Sequence, residues 1–143
     1  MLSSLVGGVP CTDNMKKIVM GGLMLVGDAA HQVNPMTGGG IVTAMKAGRI
    51  AGRVAAQAVA EGDVSEERLR EYQEEWENTE GKINRRFYKI KQAVAQLGDD
   101  VLNRTADILN RIDYKKRTVG RVFRTALIRE PKLLFHLAKI FMS

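Results

Sequence analysis

The residues best suited to chemistry lie in one segment, from Leu23 to Ile41, which reads LMLVGDAAHQVNPMTGGGI. An apolar run ends at Gly27 and Asp28, an irregular loop follows, and Gly38 to Gly40 precede a helical pattern. A carboxylate only accepts hydrogen bonds, so Asp28 is suited to the hydroxyl groups of a ribose or ribityl chain. Glycines let a ligand approach the backbone, and the N–H groups at a helix start attract negative charge. The segment therefore indicates a site for a ligand that carries hydroxyl groups and negative charge.

A purely structural interpretation of this segment stays open, because three glycines before a helix are a weak signal alone. In that interpretation the segment is a tight strand-to-helix turn, and Asp28 is an early helix cap. His31 is interpreted as a loop histidine with a structural hydrogen bond, the alternative being contact with a ligand or a proton path. Cys11 belongs to no Cys-x-x-Cys pattern, so no redox role is expected for it.

Short apolar runs predict the strands that lead the chain into this segment. An edge strand is expected within Met1–Val9, a second strand over Lys16–Met20, and a third over Leu23–Val26. The third run is uniformly apolar, which is typical of a strand buried on both faces. After the loop, small residues from about Gly40 to Glu61 predict a helix that packs closely against its neighbours.

A long apolar stripe predicts that the rest of the chain is helical. Ser65 is suited to cap the next helix, whose apolar residues recur at intervals of three, four or seven: Leu69, Tyr72, Trp76, Ile83, Phe87, Ile90, Val94 and Leu97. Gly81 interrupts this pattern without ending it, whereas Gly98 ends it and the two aspartates that follow can cap another helix. Two short helices are predicted over residues 115–128 and 131–142. The stripe is expected to be a packing face, although it also suits the lining of an apolar channel.

Basic charge is concentrated in the C-terminal half of the chain. Residues 1–81 hold seven Lys/Arg against eleven Asp/Glu, whereas residues 82–143 hold fifteen against five. From residue 115 onward the basic residues alternate with large aliphatic ones, which suits a surface that lies on an anionic membrane. Helices that are solvated, or that pack on another domain, are the alternative. Nucleic acid is not expected as a partner, because the basic residues do not alternate with exposed stacking aromatics.

Composition limits the class of protein. With 143 residues, 45% apolar and 27% charged, the chain has the makeup of one globular domain. A single cysteine excludes an internal disulfide, and two distant histidines give no metal site. Apolar runs are shorter than the roughly 18–20 residues that span a bilayer, and the start does not resemble a secretory signal. A cytoplasmic protein is therefore expected, with peripheral membrane contact as an addition.

The loop segment resembles a flavin-binding motif. Gly27 to His31, with Asn34-Pro35 and Thr37 to Ile41, is similar to the second flavin motif of FAD oxidoreductases of the p-hydroxybenzoate hydroxylase type. A proline seven residues after the aspartate, and Gly-Ile twelve and thirteen residues after it, match that pattern. The form with Gln32 to Pro35 and a Gly-Gly-Gly-Ile run most resembles the geranylgeranyl reductase family, including archaeal digeranylgeranylglycerophospholipid reductases.

The resemblance implies FAD as cofactor and assigns roles to this segment. In the family, the aspartate that matches Asp28, after Gly27, holds the ribityl hydroxyls. The pair that matches Gly40 and Ile41 places helix-start N–H groups beside the flavin and its pyrophosphate. Residues from Pro35 through Gly38 and Gly39 would lie along the isoalloxazine ring. The catalytic proton donor has no matching position in this chain.

The sequence departs from the family at its N-terminal end. The Gly-x-Gly-x-x-Gly turn that cradles the ADP half of FAD has no counterpart, since Gly7-Gly8 runs into Pro10 and Gly38 to Gly40 have the wrong spacing. The resemblance therefore implies only the C-terminal third of a reductase. We expect weak FAD binding or none by the chain alone, and no activity of its own.

The expected fold class is mainly α with a small N-terminal β segment, a C-terminal fragment of an α/β (α+β) two-domain FAD-binding fold. Residues 1–62 would form a partial FAD-binding region and residues 63–143 a helical region. The implied function is FAD-dependent reduction of isoprenoid double bonds in membrane lipids or related prenyl compounds. A related flavin monooxygenase or halogenase, or a small basic membrane-binding protein, is the alternative. Exposed strand edges predict association, either with itself or with a partner that supplies the N-terminal part.

Overall fold

The structure is a computed structural model that describes residues 6–111 together with residue 128. The described residues divide into two compact units after Tyr88. In chain order the elements are strands β1 (Val19–Met20) and β2 (Leu23–Met24), a 3-10 helix (Gly27–Ala30), helices α1 (Ile41–Glu61) and α2 (Glu66–Trp76), a π turn (Glu77–Gly81), and helices α3 (Lys82–Ala95) and α4 (Asp99–Asn110). The described part is therefore mainly helical with one small sheet, which confirms the predicted fold class.

The sheet is smaller than the sequence predicts. Strands β1 and β2 form an antiparallel hairpin in which Val19 pairs with Met24, and residues 6–9 are not in a strand. The prediction of a strand buried on both faces over Leu23–Val26 is wrong, because β2 ends at Met24 and Leu23 is 47% exposed. A uniformly apolar run does not determine which strands pair with it, and here helix α2 contacts part of the run.

Helices α1 and α2 form the core of the first unit together with the hairpin. Residues of both helices, of the hairpin region and of the 3-10 helix are buried in one cluster: Ile18, Val19, Ala30, Ala47, Ile50, Ala51, Val54, Ala58, Leu69, Tyr72 and Trp76. The helix predicted from about Gly40 to Glu61 is confirmed, and it ends at Gly62, whose φ of 72° suits a glycine. The boundary predicted after residue 62 falls in the turn between these two packed helices, within the first unit.

Helix α2 begins where the sequence predicts. Ser65 is its N-cap, and the Ser65 hydroxyl accepts a hydrogen bond of 3.3 Å from the Arg68 N–H. The carboxylates of Glu66 and Glu67 in the first turn interact favourably with the positive end of the helix dipole. Gln73 of α2 binds the segment before β1, donating to the Lys16 carbonyl and accepting from the Ile18 N–H, each at 3.0 Å.

The long stripe changes register within the first unit. Leu69, Tyr72 and Trp76 are buried as predicted, but Ile83 is 44% exposed and Asn84, only 4% exposed, takes the inward position. The prediction for Ile83 is wrong because the π turn holds one more residue than an α-helical turn. That extra residue rotates every later side chain by about 100° relative to an uninterrupted α-helix.

The second unit contains the end of α3 and all of α4. Gly98 separates these helices and is the N-cap of α4, whose start has no side-chain cap. The expectation that one of the two following aspartates caps α4 is therefore wrong; both lie in its first turn. The predicted helices over residues 115–128 and 131–142 lie outside the described residues, apart from Ile128. Among the described helices, none has the length and apolar character needed to cross a bilayer.

Candidate functional site

The chain leaves the hairpin through a tight turn that presents Asp28. Gly27 has a φ of 71°, a conformation that favours glycine, and begins the 3-10 helix that contains Asp28. The Asp28 side chain is exposed and caps neither this helix nor α1. Among the described residues its carboxylate has no hydrogen-bond partner. The interpretation of Asp28 as a helix cap is therefore wrong, and its acceptor oxygens are available for another group.

The glycine-rich loop folds back so that Gly40 lies beside Asp28. The Asn34 N–H donates to the Gly39 carbonyl at 3.0 Å, and the Gly38 N–H donates to the Asn34 carbonyl at 2.9 Å. The Asn34 side-chain oxygen accepts from the N–H groups of Met36 and Thr37. A Cβ atom added at Gly40 would lie only 3.0 Å from Asp28 Oδ1. The carboxylate and the start of α1 are thus brought together by backbone bonds within the loop.

Helix α1 begins at this place with donors that the helix cannot satisfy. Gly40 is its N-cap and offers no side chain, and the first helical bond runs from Ala44 N–H to the Gly40 carbonyl at 2.8 Å. The N–H groups of Ile41, Val42 and Thr43 precede that bond and have no acceptor within an α-helix. Ile41 is 80% exposed. Next to an acceptor-only carboxylate there is therefore a positively polarised helix start that is open to a ligand.

The other residues of the predicted site occupy different environments. Pro35 is buried within the loop, Gly38 is half-buried and Gly39 is exposed. Gly38 has a φ of 72°, so this position also favours glycine. Their placement along an isoalloxazine ring stays a prediction. His31 is held by a contact of 2.9 Å between its Nδ1 and the Thr12 hydroxyl oxygen, which confirms the structural hydrogen bond.

Three buried polar side chains support the loop through hydrogen bonds that the sequence did not indicate. Gln32 accepts from the Gly27 N–H at 2.8 Å and donates to the Tyr72 hydroxyl at 2.7 Å. That hydroxyl in turn donates to the Leu25 carbonyl at 2.7 Å. Asn84 of α3 donates to the Val33 carbonyl at 3.1 Å. These roles depend on hydrogen bonds between segments far apart in the sequence, so no local pattern signals them.

Burial changes the chemistry of Tyr72. Desolvation raises the pKa of the Tyr72 phenol above its ordinary value of 10.0, and the hydrogen bond from Gln32 opposes this shift. The phenol is therefore neutral near pH 7 and can donate to the Leu25 carbonyl while accepting from Gln32. In the described part of the chain, no buried side-chain nitrogen or oxygen lacks a partner. The support beneath the loop is thus fully hydrogen-bonded, which favours one fixed loop geometry.

The chain is similar to known proteins over most of its length. Residues 12–86 match the family described as FAD binding domain. The chain is 40% identical over 134 residues to the digeranylgeranylglycerophospholipid reductase of Methanocella arvoryzae, covering 94% of this chain and 34% of that protein. It is also 40% identical to digeranylgeranylglycerophospholipid reductase 1 of Methanothermobacter thermautotrophicus, with 95% and 34% covered. The chain spans about a third of the length of these curated relatives.

A solved structure shows the same fold. The crystal structure of a geranylgeranyl bacteriochlorophyll reductase-like protein from Thermoplasma acidophilum matches 94% of this chain and 34% of its own, with a TM-score of 0.77 and 30% identity. The family match begins before the hairpin and ends in α3, so it includes Asp28, the glycine-rich loop and the residues that support it. Because that match covers more than half of the chain and contains the whole candidate site, the chain belongs to the FAD binding domain family.

Proposed function

We propose that this chain forms part of the FAD site of a reductase that saturates isoprenoid double bonds of membrane lipids. The observation that carries the proposal is the proximity of the Asp28 carboxylate to the start of α1 at Gly40, which has no side-chain cap. The relatives named digeranylgeranylglycerophospholipid reductase, at 40% identity, support the choice of substrate class. The related flavin monooxygenases and halogenases remain the second candidate from the sequence, but no observation here favours them.

The described residues fit the polar part of FAD. The Asp28 carboxylate, which accepts no hydrogen bond from the residues that the structure describes, can bind ribityl hydroxyls, and the N–H groups of Ile41 and Val42 can hold negative charge. The absence of a side chain at Gly40 lets the start of α1 lie close to the carboxylate, because a Cβ atom there would approach Asp28 Oδ1 to 3.0 Å. Once bound and reduced by an external donor, the flavin would supply a hydride to one carbon of the double bond, and an acid would supply a proton to the other. The helix start then stabilises negative charge on the cofactor through fixed dipoles.

A chimera tests this function directly. This chain replaces the matching third of the Methanocella arvoryzae reductase, and the flavin-loaded chimera is supplied with dithionite and a digeranylgeranyl glycerolipid in detergent. Mass spectrometry is expected to show the gain of H2 for each double bond saturated. Addition of an oxygen atom instead, under air with a nicotinamide reductant, identifies a monooxygenase and contradicts the proposal. A folded chimera that carries no flavin also contradicts it.

Membrane contact and association belong to the same proposal. The basic sequence from residue 115 onward would lie on an anionic membrane and bring the reductase to its lipid substrate. Co-sedimentation with vesicles that contain anionic lipid tests this contact, and neutral vesicles are the control. Light scattering tests association, and a clean monomer at moderate concentration contradicts it.

A further inference from the structure

The π turn places two polar side chains on the same face of one long helical segment. Twelve residues separate Tyr72 from Asn84, which in an uninterrupted α-helix is a rotation of about 120°. With the extra residue absorbed by the turn Glu77–Gly81, the rotation falls to about 20°. Burial agrees, since Tyr72 is fully buried and Asn84 is 4% exposed, whereas Ile83 is 44% exposed.

The π turn is held by one hydrogen bond within its own helix and by one from a distant segment. The Thr79 hydroxyl donates to the Glu75 carbonyl at 2.7 Å, and Asn14 donates to the Gly81 carbonyl at 2.7 Å. A Cβ atom at Gly81 would lie 3.0 Å from the Trp76 carbonyl oxygen, so a larger residue does not fit there without movement. The change of register is therefore fixed by local packing and by the segment before β1.

Both side chains that the turn aligns bind the Asp28 loop. Tyr72 holds its entrance, through the Leu25 carbonyl and through Gln32 to the Gly27 N–H. Asn84 holds its middle, through the Val33 carbonyl. The two anchors lie on either side of Asp28 in the sequence, and the Val33 side chain also packs close to Gly40, 3.5 Å from where a Cβ atom would lie. The helical segment thus fixes the loop at two points that flank the carboxylate.

We propose that Tyr72 and Asn84 are positioning residues for the flavin loop, and that the π turn exists in this chain to bring Asn84, rather than Ile83, onto the Val33 carbonyl. The proposal rests on the flavin-binding role proposed above for the loop. Neither residue touches the ligand; each acts by holding backbone that carries Asp28 and the start of α1. Loss of either anchor frees the loop without unfolding the helices.

Amide hydrogen exchange on the full chain tests the proposal without flavin. Asn84→Ala and Tyr72→Phe are expected to speed exchange of the loop amides of Gln32, Asn34 and Gly38 at least about tenfold, while amides in the middle of α1 keep their protection. Val54→Ala is the matched control, because Val54 is fully buried in α1 and has no part in the anchors. Unchanged loop exchange in both anchor variants, or equal loop exchange in the control, overturns the proposal.

A swap variant isolates the change of register. Ile83→Asn combined with Asn84→Ile keeps the composition but returns the amide to the position that an uninterrupted α-helix would use. We expect the loop amides of the swap variant to exchange as fast as those of Asn84→Ala. Loop amides protected as well as in the unsubstituted chain would overturn the role of the π turn.

Flavin affinity of the chimera separates the two proposals. Asn84→Ala in the chimera is expected to raise the FAD Kd about tenfold, with Val54→Ala close to unchanged. A chimera that never binds flavin contradicts the proposed function, whereas one that binds flavin equally with and without Asn84 contradicts the positioning role.

Discussion

Asp28 and Gly40 are twelve positions apart in sequence, yet a methyl group on Gly40 would come within 3.0 Å of Asp28 Oδ1. The end of the hairpin and the start of α1 therefore lie close together. This proximity depends on the loop between them, which is closed by the bonds of Asn34 to the Gly38 and Gly39 backbone. The site is therefore a property of the whole segment, and each of its two ends can be tested separately.

Gly40→Ala should weaken FAD binding through contact with Asp28 and not through backbone strain. The φ of Gly40 is −118°, which any residue adopts, but the new methyl group would displace the carboxylate. We expect the FAD Kd of the chimera to rise about tenfold, roughly the loss of part of one charged hydrogen bond. Gly52→Ala is the control: it lies in the interior of α1 with open space around it, and should raise the free energy of unfolding by about 0.5–1 kcal/mol. Equal FAD affinity in both variants would refute the contact.

Asp28→Asn should reduce FAD affinity without reducing stability. The carboxylate is exposed and caps no helix, so its removal leaves the described fold unchanged. A hydrogen bond to a charged group contributes roughly 1.5–3 kcal/mol, which predicts a Kd higher by about tenfold to a hundredfold. Flavin titration of the chimera measures this change, and Glu67→Gln is the control for loss of one exposed carboxylate. A large drop in the melting temperature of Asp28→Asn would instead assign a structural role to this residue.

Tyr72 should make the first unit sensitive to high pH. Its folded pKa is raised above 10.0 by burial, so the folded state retains the phenolic proton at a pH where the unfolded state loses it. The contribution of Tyr72 is fully present below about pH 10 and decreases as pH rises from there through the folded pKa. Urea unfolding at pH 8 and above pH 10 measures the loss. Tyr72→Phe should show a smaller loss over this interval, and an identical loss would exclude Tyr72 as its origin.

An ion-pair network between α1 and α2 should make stability sensitive to acid. Hydrogen bonds from Arg68 lower the pKa of Glu61, and hydrogen bonds from Arg53 and then Arg68 lower that of Glu71, both from an ordinary value of 4.5. Their contribution is present above about pH 4.5 and is lost as pH falls through the lower folded values. Arg68→Met should reduce this acid dependence, measured by thermal unfolding between pH 7 and pH 3.

High salt should weaken the same ion-pair network. The Glu61 and Glu71 side chains are 53% and 43% exposed, so 1 M NaCl should also screen the pairs and bring the unsubstituted chain closer to Arg68→Met. Lys17→Met is the control, because Lys17 pairs with Glu66, which has no ion pair with Arg53 or Arg68 among the described residues. If Lys17→Met changes the acid dependence as much as Arg68→Met does, the network is not the cause.

Local signals determined much of this protein. Ser65 before two glutamates specifies a helix start, small residues from Gly40 to Glu61 specify a helix that packs closely, and Gly62 specifies its end. Asp28 and the glycines that follow indicated a ligand site from residue chemistry alone. These features depend on neighbours within about one helical turn, so a sequence contains the information that decides them.

Only the tertiary structure decided which residues support the site. The hydrogen bonds that support the loop join residues 5, 40 and 51 positions apart in the sequence, which are Gln32 with Gly27, Tyr72 with Gln32, and Asn84 with Val33. None of these pairs follows from a local period. The apolar period of the sequence predicts that Ile83 is buried. The π turn, which Asn14 from a distant segment stabilises, exposes Ile83 and buries Asn84 instead. Burial and hydrogen bonding over such distances depend on which elements pack together, so chemistry and spacing determined what the loop is suited to bind, and packing determined what holds it in place.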